Sequence, residues 1–313
     1  MAQPLFFEVQ AWMHRNARPL ELHIWQRLFE GGGVESVLQT LAYYQNEDGG
    51  FGHALEADSW NPHSTPYTTL NALDILRTVG FEDSTHPLFR GIFRYLNSGV
   101  DREAYGWRFS VPSNDAYAHA PWWSYDEARN PLESMGLTAA LSAFVLRAMP
   151  EDSPVYAPAL ALGIGLARRL ETGEDLGEMG LGGFIELLPM LRQKGADLDF
   201  DRLDRLLHER VSAAIERDPA QWAVYGVRPS RFIHSPDSPF YAENAGVVQQ
   251  ELDYLLDTRP QGAVWNINWQ WFGLMDVYAR EFAISEQWWK GQKAIENVLF
   301  LHRFGRVEIP HGR

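Results

Sequence analysis

Along most of the chain apolar residues return every third or fourth position, and the two-residue alternation of a half-buried strand is missing. Leu137, Ala140, Leu141, Phe144 and Val145 fill an i, i+3, i+4, i+7, i+8 template completely. That run predicts a helix opening at Asn130-Pro131, with the asparagine as N-cap and the proline at the first helical position. The same reading places helices at about 4–15, 19–29, 33–46, 65–79 and 86–98 before it, stopped by Gly31-Gly32-Gly33, Gly80 and Asn97-Ser98-Gly99. After it come about 154–171, 178–194, 199–217, 240–257, 267–282 and 285–302. The 154–171 stretch contains APALALGIGLA, apolar nearly all round, and so predicts a helix buried on every side.

About twelve helices in succession, mostly with short links, read as six antiparallel hairpins. No Pro- or Ser-rich linker divides the chain, so 1–313 is expected to be a single domain. Weak self-similarity points the same way. A helix ending in a glycine and aromatic corner recurs at Gln45–Phe51, Asn97–Trp107 and Asp257–Trp265. Such repeats suit an all-α ring closed on itself, an (α/α)6 toroid, better than an open solenoid with capping units.

The most informative corner is Tyr44 to Trp60, YQNEDGGFGHALEADSW. Gly49 and Gly50 are expected to take positive φ, ending the helix and reversing the chain. Gln45 and Asp48 are placed to bond the backbone groups freed there, and Phe51 to pack its ring between helices. Asp48 reads as a structural turn acid.

The run LQTLAYYQNEDGGFG, a Leu-rich helix, a glutamine and then Asp-Gly-Gly-aromatic, resembles the Gln/Trp-type repeat of the terpenoid cyclase and protein prenyltransferase toroid superfamily. APWW after a Gly-Trp corner has the same flavour. The likeness covers about residues 33–80 well and the rest weakly. It implies the toroid fold and an apolar isoprenoid substrate in an aromatic-lined central cavity. Two family signatures are missing. The proton-donating Asp-x-Asp-Asp motif of squalene–hopene-type cyclases is absent, DLDFD at 197–201 being nearest and reading as a helix start. The zinc site of prenyltransferase β subunits needs a cysteine, and the chain has none.

Composition narrows the classes further. A net charge of −14 argues against nucleic-acid and anionic-membrane partners. Without cysteine there is no disulfide, thiolate metal site or thiol nucleophile. No apolar run is long enough to span a membrane, and the first residues do not read as a signal peptide, so a cytoplasmic protein is expected. No P-loop, dinucleotide fingerprint, HExxH or EF-hand loop is present, and no cofactor is expected. Twelve tryptophans are unusual, and large aromatic payloads line cores or cavities.

Chemistry is expected in the long connections, about 47–64, 99–130 and 218–239, which alternation of hairpins puts at one rim. Glu56 and Asp58 are the candidate acid and base, since two carboxylates two apart in a non-helical stretch can lie side by side and push their pKa values apart. His119 is a candidate acid, base or orienting group, with a structural histidine as the alternative. His53 and His63 join it as candidate substrate contacts. Trp60, Trp107, Trp122, Trp123 and Tyr125 are candidates for an aromatic wall that stabilises cations or stacks on sugars, or else plugs between hairpins. Trp269, with Trp265 and Trp271, lines the cavity or packs in the core. Arg228, Arg231 and His234 are candidates to bind an anionic group such as a diphosphate or carboxylate, or else are ordinary loop charges. A metal site from Glu56, Asp58 and His119 has no diagnostic spacing, and none is assigned.

Three functions stay open at this point. One is a terpenoid-cyclase-like enzyme acting on an apolar isoprenoid by acid–base chemistry. Another is a carbohydrate-active (α/α)6 hydrolase or lyase using the same carboxylates. The third is a non-catalytic ligand-binding or interaction toroid.

Overall fold

The computed structural model describes residues 2–174, 176–177 and 180–310. In chain order the helices are α1 (Ala2–Asn16), α2 (Pro19–Phe29), α3 (Val34–Ala42), α4 (Pro66–Thr78), α5 (Pro87–Ser98), α6 (Asn130–Glu133) and α7 (Met135–Ala148). They continue with α8 (Tyr156–Thr172), α9 (Leu181–Gln193), α10 (Phe200–Ala214), α11 (Tyr241–Thr258) and α12 (Met275–Arg303). A minimal antiparallel pair, β1 (Arg102–Glu103) and β2 (Gly106–Trp107), lies between α5 and α6. The protein is thus mostly helical, as the apolar spacing predicts. Among the described residues no helix is long and apolar enough to cross a membrane.

Several boundaries have visible causes. Thr65 caps α4, its side-chain oxygen accepting from Thr68 N at 3.0 Å, and Pro66 follows at the first helical position. Asp199 likewise accepts from Arg202 N at 3.0 Å, so DLDFD does open a helix.

Other boundaries differ from expectation. α3 ends at Ala42 rather than near 46, because Tyr43 N turns back to Thr40 O and Gln45 joins a backbone bridge to Phe51. The helix expected from 130 breaks at Ser134 into α6 and α7. Asn130 is not its N-cap, since Oδ1 is taken by Phe109 N at 2.7 Å and Ser110 N at 3.1 Å. Asp126 instead accepts from Ala128 N and Arg129 N. The helices expected at 267–282 and 285–302 fall within the single span α12, but the backbone at Tyr278 is non-helical (φ −121°, ψ 34°). Two helices therefore meet there and not between 282 and 285, where no glycine, proline or asparagine stops the chain. The part of the expected helix from 267 to 271 is irregular backbone. Residues 178 and 179, where another helix was expected to begin, lie outside the described residues.

Contacts gather the chain into two units, Met1–Tyr43 with Ile215–Arg313, and Tyr44–Ala214. In the first unit α12 packs on α1 and α2, and α2 on α3. Trp25 is fully buried there, its ring 5.5 Å from Phe6 and 4.5 Å from Phe29. Its Nε1 donates to Glu30 at 2.6 Å, so the indole is buried with its polar group satisfied.

In the second unit α7 is the hub, packed by α9, α8 and α4. Almost its whole surface is buried, including Leu137, Leu141, Phe144 and Val145. Each such side chain contributes roughly 1.5–3 kcal/mol of transfer free energy. Glycine lets α9 approach, because a Cβ on Gly183 would lie 2.1 Å from the Gly136 carbonyl oxygen. The consecutive pairs α7–α8, α8–α9 and α9–α10 all pack side by side. The helix buried all round is therefore α7. α8, expected to be so, leaves Ala157, Ala161 and Gly165 exposed.

Candidate functional site

The second unit brings together two of the long connections, 47–64 and 99–130. The first begins at the corner after α3. Gln45 Nε2 donates to Gly49 O and to Leu88 O, both at 2.9 Å, tying the corner to α5. Asp48 Oδ1 accepts from Gly50 N at 2.9 Å and from Ser64 Oγ at 2.7 Å, the structural role expected of it. Of the two glycines only Gly49 has positive φ, 95°. Gly50 is required for space, since a Cβ there would come within 2.6 Å of Ser64 Cβ. Phe51 is fully buried.

Past the corner the chain does something costly. His53 and Ala54 both sit in the left-handed region, with φ of 56° and 58°. Successive non-glycine residues in that region each store of order 1–3 kcal/mol, and such strain concentrates at functional sites. The strained pair is held by His53 N donating to Asn61 O at 2.9 Å and by His53 Nε2 with Asn46 Oδ1 at 2.9 Å. It turns the following residues inward, leaving Glu56 only 5% and Asp58 2% exposed.

Glu56 is gripped at both oxygens. Oε1 accepts from Asp58 N at 3.2 Å and Oε2 from Asn71 Nδ2, on α4, at 2.8 Å. The next residues pair with the second connection: Ser59 bridges His119 antiparallel, Trp60 N donates to Ala118 O, and Ala120 N donates to Asp58 O, the last two at 2.8 Å. Asn61 completes the seam, donating to Ser113 Oγ and Asn114 Oδ1 at 2.8 Å.

His119 is buried on this seam. Its Nδ1 lies 2.7 Å from Tyr117 O, and a carbonyl only accepts, so Nδ1 carries the proton. In the neutral ring Nε2 is then an acceptor, and Ser124 Oγ lies 3.0 Å from it. Asp115 Oδ1 is 3.9 Å from the same nitrogen.

The aromatic candidates divide. Trp123 is buried and stacks on Phe109 at 4.9 Å, with Tyr67 edge-on at 4.4 Å. Its indole Nε1 is buried with no hydrogen-bond partner. Trp60, Trp122 and Tyr125 are half-buried, and Tyr125 N donates to Asp115. His63 is exposed, its Nε2 3.2 Å from Tyr117 Oη, and His53 is exposed. Trp107 is a core residue, 2% exposed against α7, its backbone N–H donating to Thr138 Oγ1 at 3.0 Å. Behind the corner, Tyr95 Oη donates to Asp101 Oδ2 at 2.7 Å. Burial pushes the Tyr95 hydroxyl well above its usual range and raises Asp101 as well.

Trp269 belongs to the other unit, where its ring lies 5.1 Å from Trp289 and 6.0 Å from Tyr225, with Lys293 Nζ 5.9 Å away. Arg228 is not a vacant anion binder. Its Nε lies 3.5 Å from Glu251, whose carboxylate also accepts from Ser230 N at 2.7 Å and Ser230 Oγ at 2.6 Å. Burial raises the Glu251 pKa despite those partners. Arg231 is exposed. Among the described residues no cluster of three His, Asp or Glu side chains could hold a metal, so Glu56, Asp58 and His119 do not form one.

Sequence reading missed Asn61, Asn71, Asn114, Ser124, Tyr67 and Phe109. Asn71 and Tyr67 sit inside a helical pattern and carried no signal. Asn61 and Asn114 stood in long connections rich in polar residues, where an amide with no glycine beside it is the only hint.

Compared with known proteins, the chain matches no family model, no curated protein and no solved structure.

Proposed function

We propose that the chain is an αα-toroid enzyme of the terpenoid-cyclase kind, acting by acid–base chemistry on a small apolar substrate. The consecutive packing of α7, α8, α9 and α10 supports a scaffold of successive hairpins. The observation that carries the chemistry is the left-handed His53-Ala54 pair, because it spends backbone strain to turn Glu56 and Asp58 inward beside the His119 seam. In this reading the carboxylate pair and His119 move protons, and His119 Nε2 is the accepting atom. Tyr67, Phe109 and Trp123 supply ring faces to a developing cation.

The near-complete burial of both acids favours a second reading. In it they brace the two connections, and the protein is a non-catalytic binding toroid.

One experiment separates the two. Purified protein is incubated with geranylgeranyl diphosphate, with squalene and with aryl glycosides, and products are read by mass spectrometry. The enzymatic reading expects turnover that Glu56→Gln and Asp58→Asn each abolish while the melting temperature barely moves. No turnover, together with a large fall in melting temperature for both variants, overturns it in favour of the bracing role.

A further inference from the structure

Helix α8 is where composition and packing disagree. Its APALALGIGLA run suits a helix covered on every side, yet one face is left open. Beside that face runs a groove of about 510 Å³, bounded by Pro158, Leu162 and Leu166 of α8 and by the turn joining β1 to β2. The volume lies within the range of small-molecule sites. The floor is apolar.

The rim carries two arginines and one carboxylate, Glu103. Arg169, at the end of α8, donates through Nε to Glu174 at 2.6 Å. Arg102, on β1, makes no ion pair among the described residues, and its Nη1 is buried without a hydrogen-bond partner. Both acids adjacent in sequence are engaged elsewhere, Asp101 by Tyr95 Oη at 2.7 Å and Glu103 by Arg108 at 2.5 Å. In a chain with 41 acidic and 27 basic side chains, an arginine left without a carboxylate needs a reason. An unpaired buried donor is unfavourable, and a guanidinium meets a carboxylate with two parallel hydrogen bonds.

We propose that this groove binds a small amphipathic carboxylate. The carboxylate pairs with Arg102, and a short apolar body lies along Leu162 and Leu166. The uncovered face of α8 and the unpartnered guanidinium then have one explanation. The site shares no residue with the Glu56 cluster and stands independently of the function proposed above.

Calorimetric titration of the full-length protein with hexanoate tests it. 1-Hexanol, hexylamine and inorganic phosphate serve as the uncharged, cationic and non-apolar counterparts. Saturable binding is expected for hexanoate alone, on the order of millimolar for so small a ligand. Arg102→Gln should weaken it by about tenfold or more. Leu162→Glu sets a carboxylate on the floor without touching the arginine, and should abolish binding by a separate route if Arg102→Gln fails to fold. Absence of saturable hexanoate binding, equal binding of phosphate or hexylamine, or undiminished binding by either folded variant overturns the proposal.

Discussion

Ser59 and His119 face each other as a single antiparallel bridge, and around that one contact two otherwise irregular connections become a sheet-like seam. Asp58 O and Ala118 O each accept a backbone N–H from the opposite strand of the seam. Asp58 and His119 are therefore positioned by backbone pairing, to which the Asn61 side chain adds two bonds, and Glu56 is held beside them by Asn71.

Asn61 and Asn71 offer the sharpest test of that arrangement. Asn61→Ala removes both donations to the 99–130 connection, leaving Asn114 Oδ1 buried and short of a donor. A loss of about 1–3 kcal/mol is expected by urea denaturation. Asn71→Leu strips one donor from Glu56 and should cost a similar amount. A loss under about 0.5 kcal/mol for both would show that the seam does not need these amides.

Gly49 and Gly246 should respond in opposite directions to the same change. Gly49 has φ of 95°, and a Cβ there would lie 2.0 Å from the Gly91 carbonyl oxygen. Gly49→Ala should therefore lose at least about 2 kcal/mol. Gly246 lies exposed inside α11 with nothing near its would-be Cβ. Gly246→Ala should gain about 0.5–1 kcal/mol from helix propensity. Thermal melts of the pair check both signs at once.

Trp123 carries a large apolar surface and one unsatisfied donor. Trp123→Phe keeps an aromatic ring against Phe109 and removes the buried N–H, so its stability should stay within about 1 kcal/mol of native. Trp123→Ala leaves a cavity and should cost about 3–5 kcal/mol. Equal losses for the two variants would mean that the indole N–H has a partner after all.

Glu251 should tie stability to pH. Burial raises its pKa in the folded protein above the ordinary value near 4.5. The folded state then binds this proton more tightly than the unfolded chain does. The resulting stabilisation is complete below the unfolded pKa and is lost as pH rises through the raised folded value. Glu251→Gln should flatten that part of the curve of unfolding free energy against pH. An unchanged slope between the native protein and the variant counts against the assignment.

How much of this was legible beforehand depends on how local the cause is. Gly99, and Asp48 with Gly49 at the corner, act on their own neighbours, and those features stand where the residues put them. Asn130-Pro131 misled because the asparagine had a better offer from Phe109 and Ser110, a contact made across the chain. The break expected near 283 falls instead at Tyr278, which no glycine, proline or asparagine marks. Placing Glu56, Asp58 and His119 in long connections was possible from hairpin counting. Their meeting through Ser59 depended on two consecutive left-handed residues, His53 and Ala54, neither of which advertises that conformation.

The internal stapling of residues 45–65 has a consequence for how this segment behaves in solution. It contains almost no regular secondary structure, yet amide hydrogens at Asn46, Gly49, Gly50, His53, Leu55, Ser59 and Thr65 all have acceptors inside it. A protease searching for a slack stretch should pass it over. Its amides should exchange with deuterium as slowly as those of the neighbouring helices.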